Sequence, residues 1–465
     1  MYVARVMRAA VPVVCVLGFH SALAQTPATS PPAWSARAVV ESAWLHYPSV
    51  LEARAAAAQA EAAVQATAIS NGPVVGVAGQ FDRATDNATL GLSFASPLPS
   101  ISGTVPASDY RLGASTFTSA TGAYFAWEVA DFGRRSDELH FTQSLARAAG
   151  ERTELTRLQV GAHAADLFLS LLAAQERERV AGADVARWQT MAHIIHTLVE
   201  QQLRPGADGS RVDAELAAAR IRQAEAERDR AGLQAALVEA TGSGAPAPEL
   251  VAPPPAPRSE PAAAGTVVHP EIAAQQATIA ASRFHISAVE KGALPRTFVQ
   301  ASFYGRGSGV LAAGKFGTGW SGLGPDTAGN WAVGAGFDFS FTRMRVVRAQ
   351  TAAARADLAQ QQARLVRISG ALTASQAQAE ADLRAAETIA DQAPIELTAA
   401  RAGESQARVR YQAGLSGVVD LANAEQLLAQ AEADAALAGL KLWRSRLEMA
   451  FARGDLTPWL DEAGH

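Results

Sequence analysis

Two stretches of about seventy residues, 131–203 and 342–411, carry helical periodicity with no clear stop. At 1.5 Å per residue each would run about 105 Å, far longer than one globular core can cover. Gly150, Gly161 and Gly182 in the first run, and Pro394 in the second, are bends rather than ends. The chain must therefore be elongated. Each run reaches a short Gly-bearing tip and then a second helix. The first tip reads Leu203-Arg-Pro-Gly-Ala-Asp-Gly-Ser-Arg-Val-Asp213 and leads into a helix over 212–240. The second reads Tyr411-Gln-Ala-Gly-Leu-Ser-Gly-Val-Val-Asp-Leu-Ala-Asn-Ala424 and leads into 417–452.

What precedes each long run also repeats. Val39, Val40, Trp44, Leu45, Val50 and Leu51 recur at helical spacing around Pro48, and Asn71-Gly72-Pro73 ends that helix. The period then becomes two: Val75, Val77, Gly79 and Phe81 alternate with Gly76, Ala78, Gln80 and Asp82. Alternation returns before the first long run, with Ala123, Phe125, Trp127 and Val129 on one face and Tyr124, Ala126, Glu128 and Ala130 on the other. After a Pro/Gly-rich linker over 242–266 the plan restarts. His269-Pro270 matches Tyr47-Pro48, Pro295 matches Pro73, and Val299 and Phe303 match Val77 and Phe81, all at an offset of 222. In the fourth strand Trp331, Val333, Ala335, Phe337, Phe339 and Phe341 face one side. The expected plan is a repeat over 25–241 with strands near 74–83 and 121–131, then a repeat over 267–455 with strands near 296–304 and 330–341, and a tail over 456–465.

Composition narrows the setting. Arg5 and Arg8, the apolar stretch Ala9 to Phe19, and Ala22-Leu23-Ala24 read as a secretory signal peptide over 1–24. The formal charge is −5, and removing this basic leader leaves about −7, the wrong sign for a nucleic-acid partner. The single cysteine, Cys15, lies in the leader, so the mature chain has no disulfide, thiol nucleophile or Cys-ligated metal. No window is long and apolar enough for a membrane helix, so a membrane could be crossed only by a closed barrel.

Four strands of about ten residues suffice to cross a bilayer when tilted, and an apolar, aromatic face opposite a small or polar one suits a water-filled barrel. A β-sandwich with one wet face alternates in the same way. Helices too long for a globular core and an export signal favour the barrel. Four strands cannot close a useful lumen, so several chains must contribute, and three would give twelve strands.

With the duplicated plan, the junction Val129-Ala-Asp-Phe-Gly-Arg-Arg135 and the tip Tyr411-x-x-Gly414-x-x-x-x-x-Asp420, the chain resembles the TolC-like outer-membrane efflux proteins from about Trp34 to Phe451. The resemblance implies an α+β membrane protein: a homotrimer whose twelve-stranded β-barrel continues into a periplasmic α-helical barrel. It implies a passive exit channel of a tripartite efflux or type I-like export system, moving small molecules, metals or polypeptides. The implied partners are a periplasmic adaptor, an inner-membrane transporter and outer-membrane lipid. The competing reading is a periplasmic coiled-coil adaptor, which would carry one hairpin and a separate β-domain.

The resemblance also puts acidic side chains at the closed periplasmic entrance. Asp420 falls on that position with Asp213 as its first-half counterpart, alongside Gly414 and Gly206. Asn423 stands where relatives often carry a second acid. Both aspartates equally fit simple stabilisation of a helix N-terminus. Tyr411 resembles a tyrosine that latches neighbouring coils, and fits ordinary packing as well. Trp127, Phe125, Trp331, Phe337, Phe339 and Phe341 are expected to face lipid. His193 and His196 lack companion ligands, so a coiled-coil surface is expected instead of a metal site. Gly309-Val-Leu-Ala-Ala-Gly-Lys315 mimics a phosphate loop, but Phe316 replaces the required hydroxyl residue and no helix follows. No catalytic set or cofactor site stands out, and no enzyme activity is expected.

Overall fold

The computed structural model describes residues 34–84, 116–202, 205–242, 250–256, 268–309, 320, 323–324 and 327–463. The signal peptide over 1–24 and most of the phosphate-loop mimic lie outside these residues. Helices α1 (Ala36–His46) and α2 (Pro48–Ser70) break at Tyr47, where Pro48 supplies the first helical residue of α2. Strands β1 (Val74–Ala84) and β2 (Thr116–Ala130) lead into α3 (Arg134–Glu200), a helix of 67 residues. Helix α4 (Gly206–Thr241) returns along it. The second half repeats the order: α5 (Pro270–Lys291), β3 (Arg296–Ser308), β4 (Thr327–Asp338), α6 (Phe341–Gln412) and α7 (Val418–Arg453), closed by the short α8 (Thr457–Ala463). Among the described residues no helix is long and apolar enough to cross a membrane.

The strands form one antiparallel meander in the order β1-β2-β3-β4. Its register carries the rows Val75–Phe125–Ala301–Val333 and Val77–Ala123–Phe303–Trp331 across all four strands, so the apolar residues share one face. Four boundaries differ from expectation by three residues or more, among them the end of β3 at Ser308 and the start of β4 at Thr327. Strand β2 starts earlier, at Thr116, and β4 ends at Asp338. Ser340 caps α6 by accepting from the Arg343 N–H at 3.4 Å, which turns the chain helical at Phe341. Phe339 and Phe341 are therefore not strand residues. They form an edge-on pair at the strand–helix junction, 5.1 Å between centroids.

The corresponding junction in the first half is held by Asp131. Its carboxylate accepts from the Gly133 N–H at 3.2 Å, the Arg135 N–H at 2.7 Å and the Arg135 Nε at 3.0 Å. Burial raises the pKa of Asp131, but those hydrogen bonds outweigh it and leave the group below the ordinary carboxylate value. Arg135 also donates to the carbonyls of Asn71 and Glu128, tying the end of α2 to the end of β2. Phe132 and Gly133 take positive φ angles of 55° and 85°, and make the bend from strand to helix.

The main core is a belt about the middle of α3. Leu158 to Leu172 meet α1, the C-terminal ends of α4 and α7, and α8. Residues 250–256 of the linker dock here: Leu250 pairs with Trp34, and the Pro254 carbonyl accepts from Trp443 Nε1 at 2.8 Å. This part of the linker is a packed element and not a free spacer. Beyond the belt α3 runs with α4 and packs on α7, and α6 runs with α7.

Candidate functional site

The far ends of the two hairpins meet in a second, smaller core. Val185, Trp188, Met191, Ala192 and Ile195 of α3, Val212 and Ala219 of α4, Tyr411 of α6, and Val418, Leu421 and Ala422 of α7 are all buried together. Tyr411 is only 3% exposed, so it packs α6 against its neighbours in this core. The turn after it closes through Ala413 N–H to the Val409 carbonyl at 3.0 Å and Leu415 N–H to the Arg410 carbonyl at 2.9 Å. Gly414 makes the reversal with φ +75°, a conformation that costs other residues about 1 kcal/mol.

The first tip is built differently from the sequence expectation. Helix α4 starts at Gly206, six residues before the expected Val212, because Pro205 holds extended angles at the N-cap and its carbonyl accepts the Asp208 N–H at 3.0 Å. The N-caps Pro205 and Gly417 are 212 residues apart, and so are the C-cap glycines Gly242 and Gly454. At that spacing the counterpart of Asp420 is Asp208, not Asp213. Asp208 and Asp420 both sit in the first turn of their helices. Gly206 is likewise not the partner of Gly414; at the same spacing that partner is Gln202, left-handed with φ 54°.

Asp213 lies one turn further along, where its carboxylate pairs with His196 Nε2 at 2.9 Å. Among the described residues no group of three or more His, Cys, Asp or Glu side chains could hold a metal. Asp420 and Asn423 are both exposed, on the same face of α7 as Val419 and Leu427.

A feature the sequence did not suggest lies just inside the tips. A line of charged side chains crosses all four helices. Arg222 of α4 meets Asp184 of α3 at 2.8 Å, and Arg187 of α3 reaches Glu425 and Glu432 of α7 at 3.4 and 2.9 Å. Arg408 of α6 then bridges Glu425 at 3.2 Å and Glu404 at 2.5 Å. The side chains of Asp184 and Glu425 are almost wholly buried. Burial raises the pKa of Glu425 first, and the neighbouring Glu404 carboxyl raises it further; Arg408 and Arg187 offset part of this. Beside this line a groove of about 760 Å³ opens between α3 and α6, lined by Met191, Ile194, Leu198 and Tyr411.

At the other end of the hairpins is the sheet. Trp127, Trp331 and Phe337 are exposed on its apolar face, while Phe125 is half-buried there. Phe303, 60% exposed, belongs to the same face. Its match to Phe81 at the 222 offset was the signal that could have added it.

Residues 267–455 match the family model for outer membrane efflux proteins. No curated protein matches the chain. Among solved structures, the outer-membrane channel OprN superposes with a TM-score of 0.72 at 20% identity, covering 90% of this chain and 89% of OprN. The outer membrane protein VceC of Vibrio cholerae gives 0.74 at 15% identity, covering 90% and 96% of the two chains. The CmeC outer membrane channel of Campylobacter jejuni gives 0.73 at 15% identity, covering 95% and 94%. The second half of this chain is thus similar to the outer membrane efflux proteins, and the chain shares its fold with these solved outer-membrane channels.

Proposed function

We propose that this chain is one protomer of a homotrimeric, passive exit channel in the outer membrane, with a long periplasmic extension. It would serve a tripartite efflux or type I-like export system through a periplasmic adaptor and an inner-membrane transporter. The observation that carries this reading is a four-stranded sheet with its apolar residues on one face, set at one end of helical hairpins whose core clusters contain, among the described residues, no strand residue. Val75, Val77, Trp331 and Phe337 are more than 70% exposed on that face, an apolar patch that calls for a cover, which lipid supplies around a barrel. Four strands leave two open edges, and three copies close a twelve-stranded barrel with a lumen. The adaptor alternative calls for one hairpin and has no use for such a sheet. Fractionation with reconstitution decides: an outer-membrane trimer that conducts in planar bilayers is expected, and a soluble periplasmic monomer would sink the channel.

The helix tips are the entrance in this reading. Three copies of Asp420, on an exposed helix face with Asn423, would set a negative potential that favours cations. Asp420→Asn is therefore expected to lower the cation-to-anion permeability ratio. Asp213→Asn, which removes a partner of His196, should leave that ratio close to wild type. Reversal potentials under a salt gradient measure both; equal effects from the two substitutions would contradict the assignment.

A further inference from the structure

The face of the sheet opposite the lipid-facing residues carries Gly76, Tyr124, Gln300, Ser302, Ala332 and Gly336, by strand alternation and register. It holds one unusual arrangement in each hairpin. In the first, Gly76 of β1 pairs with Tyr124 of β2, and the Tyr124 ring lies across the glycine. A Cβ placed on Gly76 would stand 2.7 Å from Tyr124 Cζ and 2.8 Å from its hydroxyl. In the second, Phe298 of β3 pairs with Gly336 of β4, and a Cβ on Gly336 would stand 2.5 Å from Phe298 Cζ. Gly76 and Phe298 are both the third residue of their strands, so ring and glycine have exchanged places between the two halves.

In both cases the blocking atoms belong to the far end of a ring. The rings are therefore lying flat on the neighbouring strand, in the space where that strand's own side chain would stand. Gly79 and Gly334 offer no such contact: a Cβ there would meet its nearest neighbours only at 3.7 and 3.9 Å. Neither Gly76 nor Gly336 has a positive φ, so their backbone conformations do not demand glycine. What demands it is the ring.

We propose that Gly76 and Gly336 determine the bore of the barrel, by holding Tyr124 and Phe298 against the wall and out of the lumen. The inference rests on the trimeric channel reading. Six flat rings would then lie around the lumen, two from each protomer, alongside Tyr304, the third aromatic side chain of that face in each protomer. Eight-stranded barrels are filled by their inward side chains, and sixteen-stranded ones hold an open channel. A twelve-stranded barrel lies between, where six upright aromatic rings would decide how large a solute passes. The two glycines thus act as size-specificity residues without touching cargo. Because a ring end can swing aside, a side chain at either glycine is accommodated by raising the ring and not by breaking the ladder.

The test is neutral-polymer exclusion in planar bilayers, with polyethylene glycols of graded size added from the extracellular side, so that the barrel and not the helix tip is probed. Gly76→Val with Gly336→Val is expected to shift the exclusion cut-off to smaller polymers. Adding Tyr124→Ala and Phe298→Ala to that pair should return it to the wild-type value. Tyr124→Ala and Phe298→Ala on the native glycines should leave the cut-off unchanged, since flat rings do not narrow the bore. An unchanged cut-off in the glycine pair, or a widened one in the ring variants alone, overturns the proposal. If the glycine pair yields no trimer, the ring variants still decide. A wild-type protein that does not conduct refutes the channel reading instead.

Discussion

Trp443→Ala is expected to remove about 4 kcal/mol from the belt where the hairpins are clamped, within the range for deleting a fully buried tryptophan. Trp443 is 2% exposed and meets the ring of Trp459 edge-on, with centroids 6.0 Å apart and planes at 89°. Its Nε1 holds the Pro254 carbonyl at 2.8 Å, and its own carbonyl accepts from Trp459 Nε1 at 3.1 Å. The substitution therefore opens a cavity, removes an aromatic pair and orphans a carbonyl that anchors the linker. Stabilities of folded domains are about 5–15 kcal/mol, so this one side chain carries a large share of the margin. Trp443→Phe keeps most of the packing and loses the hydrogen bond, for a cost of about 1 kcal/mol. Thermal melting in detergent, followed by circular dichroism, should rank wild type above Trp443→Phe above Trp443→Ala. Coincident melting curves for Trp443→Ala and wild type would mean that the belt does not clamp the hairpins.

Much of the fold was legible because it rests on period and punctuation. The change from helical to strand spacing after Asn71-Gly72-Pro73 put β1 within one residue of its observed end, and the 222 offset marks the true starts of α2 with α5 and of β1 with β3. The offset fails further along because more residues separate β1 from β2 than β3 from β4, so α6 starts only 207 residues after α3; α6 then has 72 residues against 67, which brings the tips to 212, and an uninterrupted helix gives no internal mark of its length. Matching the tips by their Gly and Asp letters then paired Asp420 with Asp213. The true correspondence depends on where α4 begins. Pro205-Gly206 reads as a turn, yet Pro205 is the cap of a helix already under way at Gly206. Phe339 and Phe341 continued an alternating pattern past the strand because a capping serine, Ser340, leaves no trace in apolar spacing. The line of charges near the tips was invisible for a stronger reason. Its members come from four helices, and only the packed register brings Asp184, Arg222, Arg408 and Glu425 into one row.

That row is expected to make the tip sensitive to pH, with Arg408 as its most consequential member. Among the described residues Arg408 is the one cation that bridges Glu404 and Glu425, which lie on different helices with side chains 9% and 3% exposed. Arg187 approaches Glu425 from α3 but also serves Asp184 and Glu432, and Arg222 reaches Asp184 from α4. Arg408→Ala leaves two buried carboxyls facing each other, with Arg187 beside Glu425 and the bridge to Glu404 gone, at a cost of about 3 kcal/mol near neutral pH. The sign of the pH effect follows from Glu425. Its folded-state pKa is raised, by burial first and by Glu404 second, so the native tip holds the proton more tightly than the unfolded chain does. The resulting stabilisation is full below the ordinary Glu value and is lost as pH rises through the folded value. Wild-type tips are therefore expected to pack more firmly in mild acid than in mild base. Glu425→Gln, which mimics the protonated acid, should flatten that dependence. Arg408→Ala should steepen it, because protonating Glu425 relieves the repulsion that the substitution exposes. Thermal midpoints of the three proteins at pH 5 and pH 8 test this directly, and an Arg408→Ala deficit of equal size at both values would leave the row a plain structural brace.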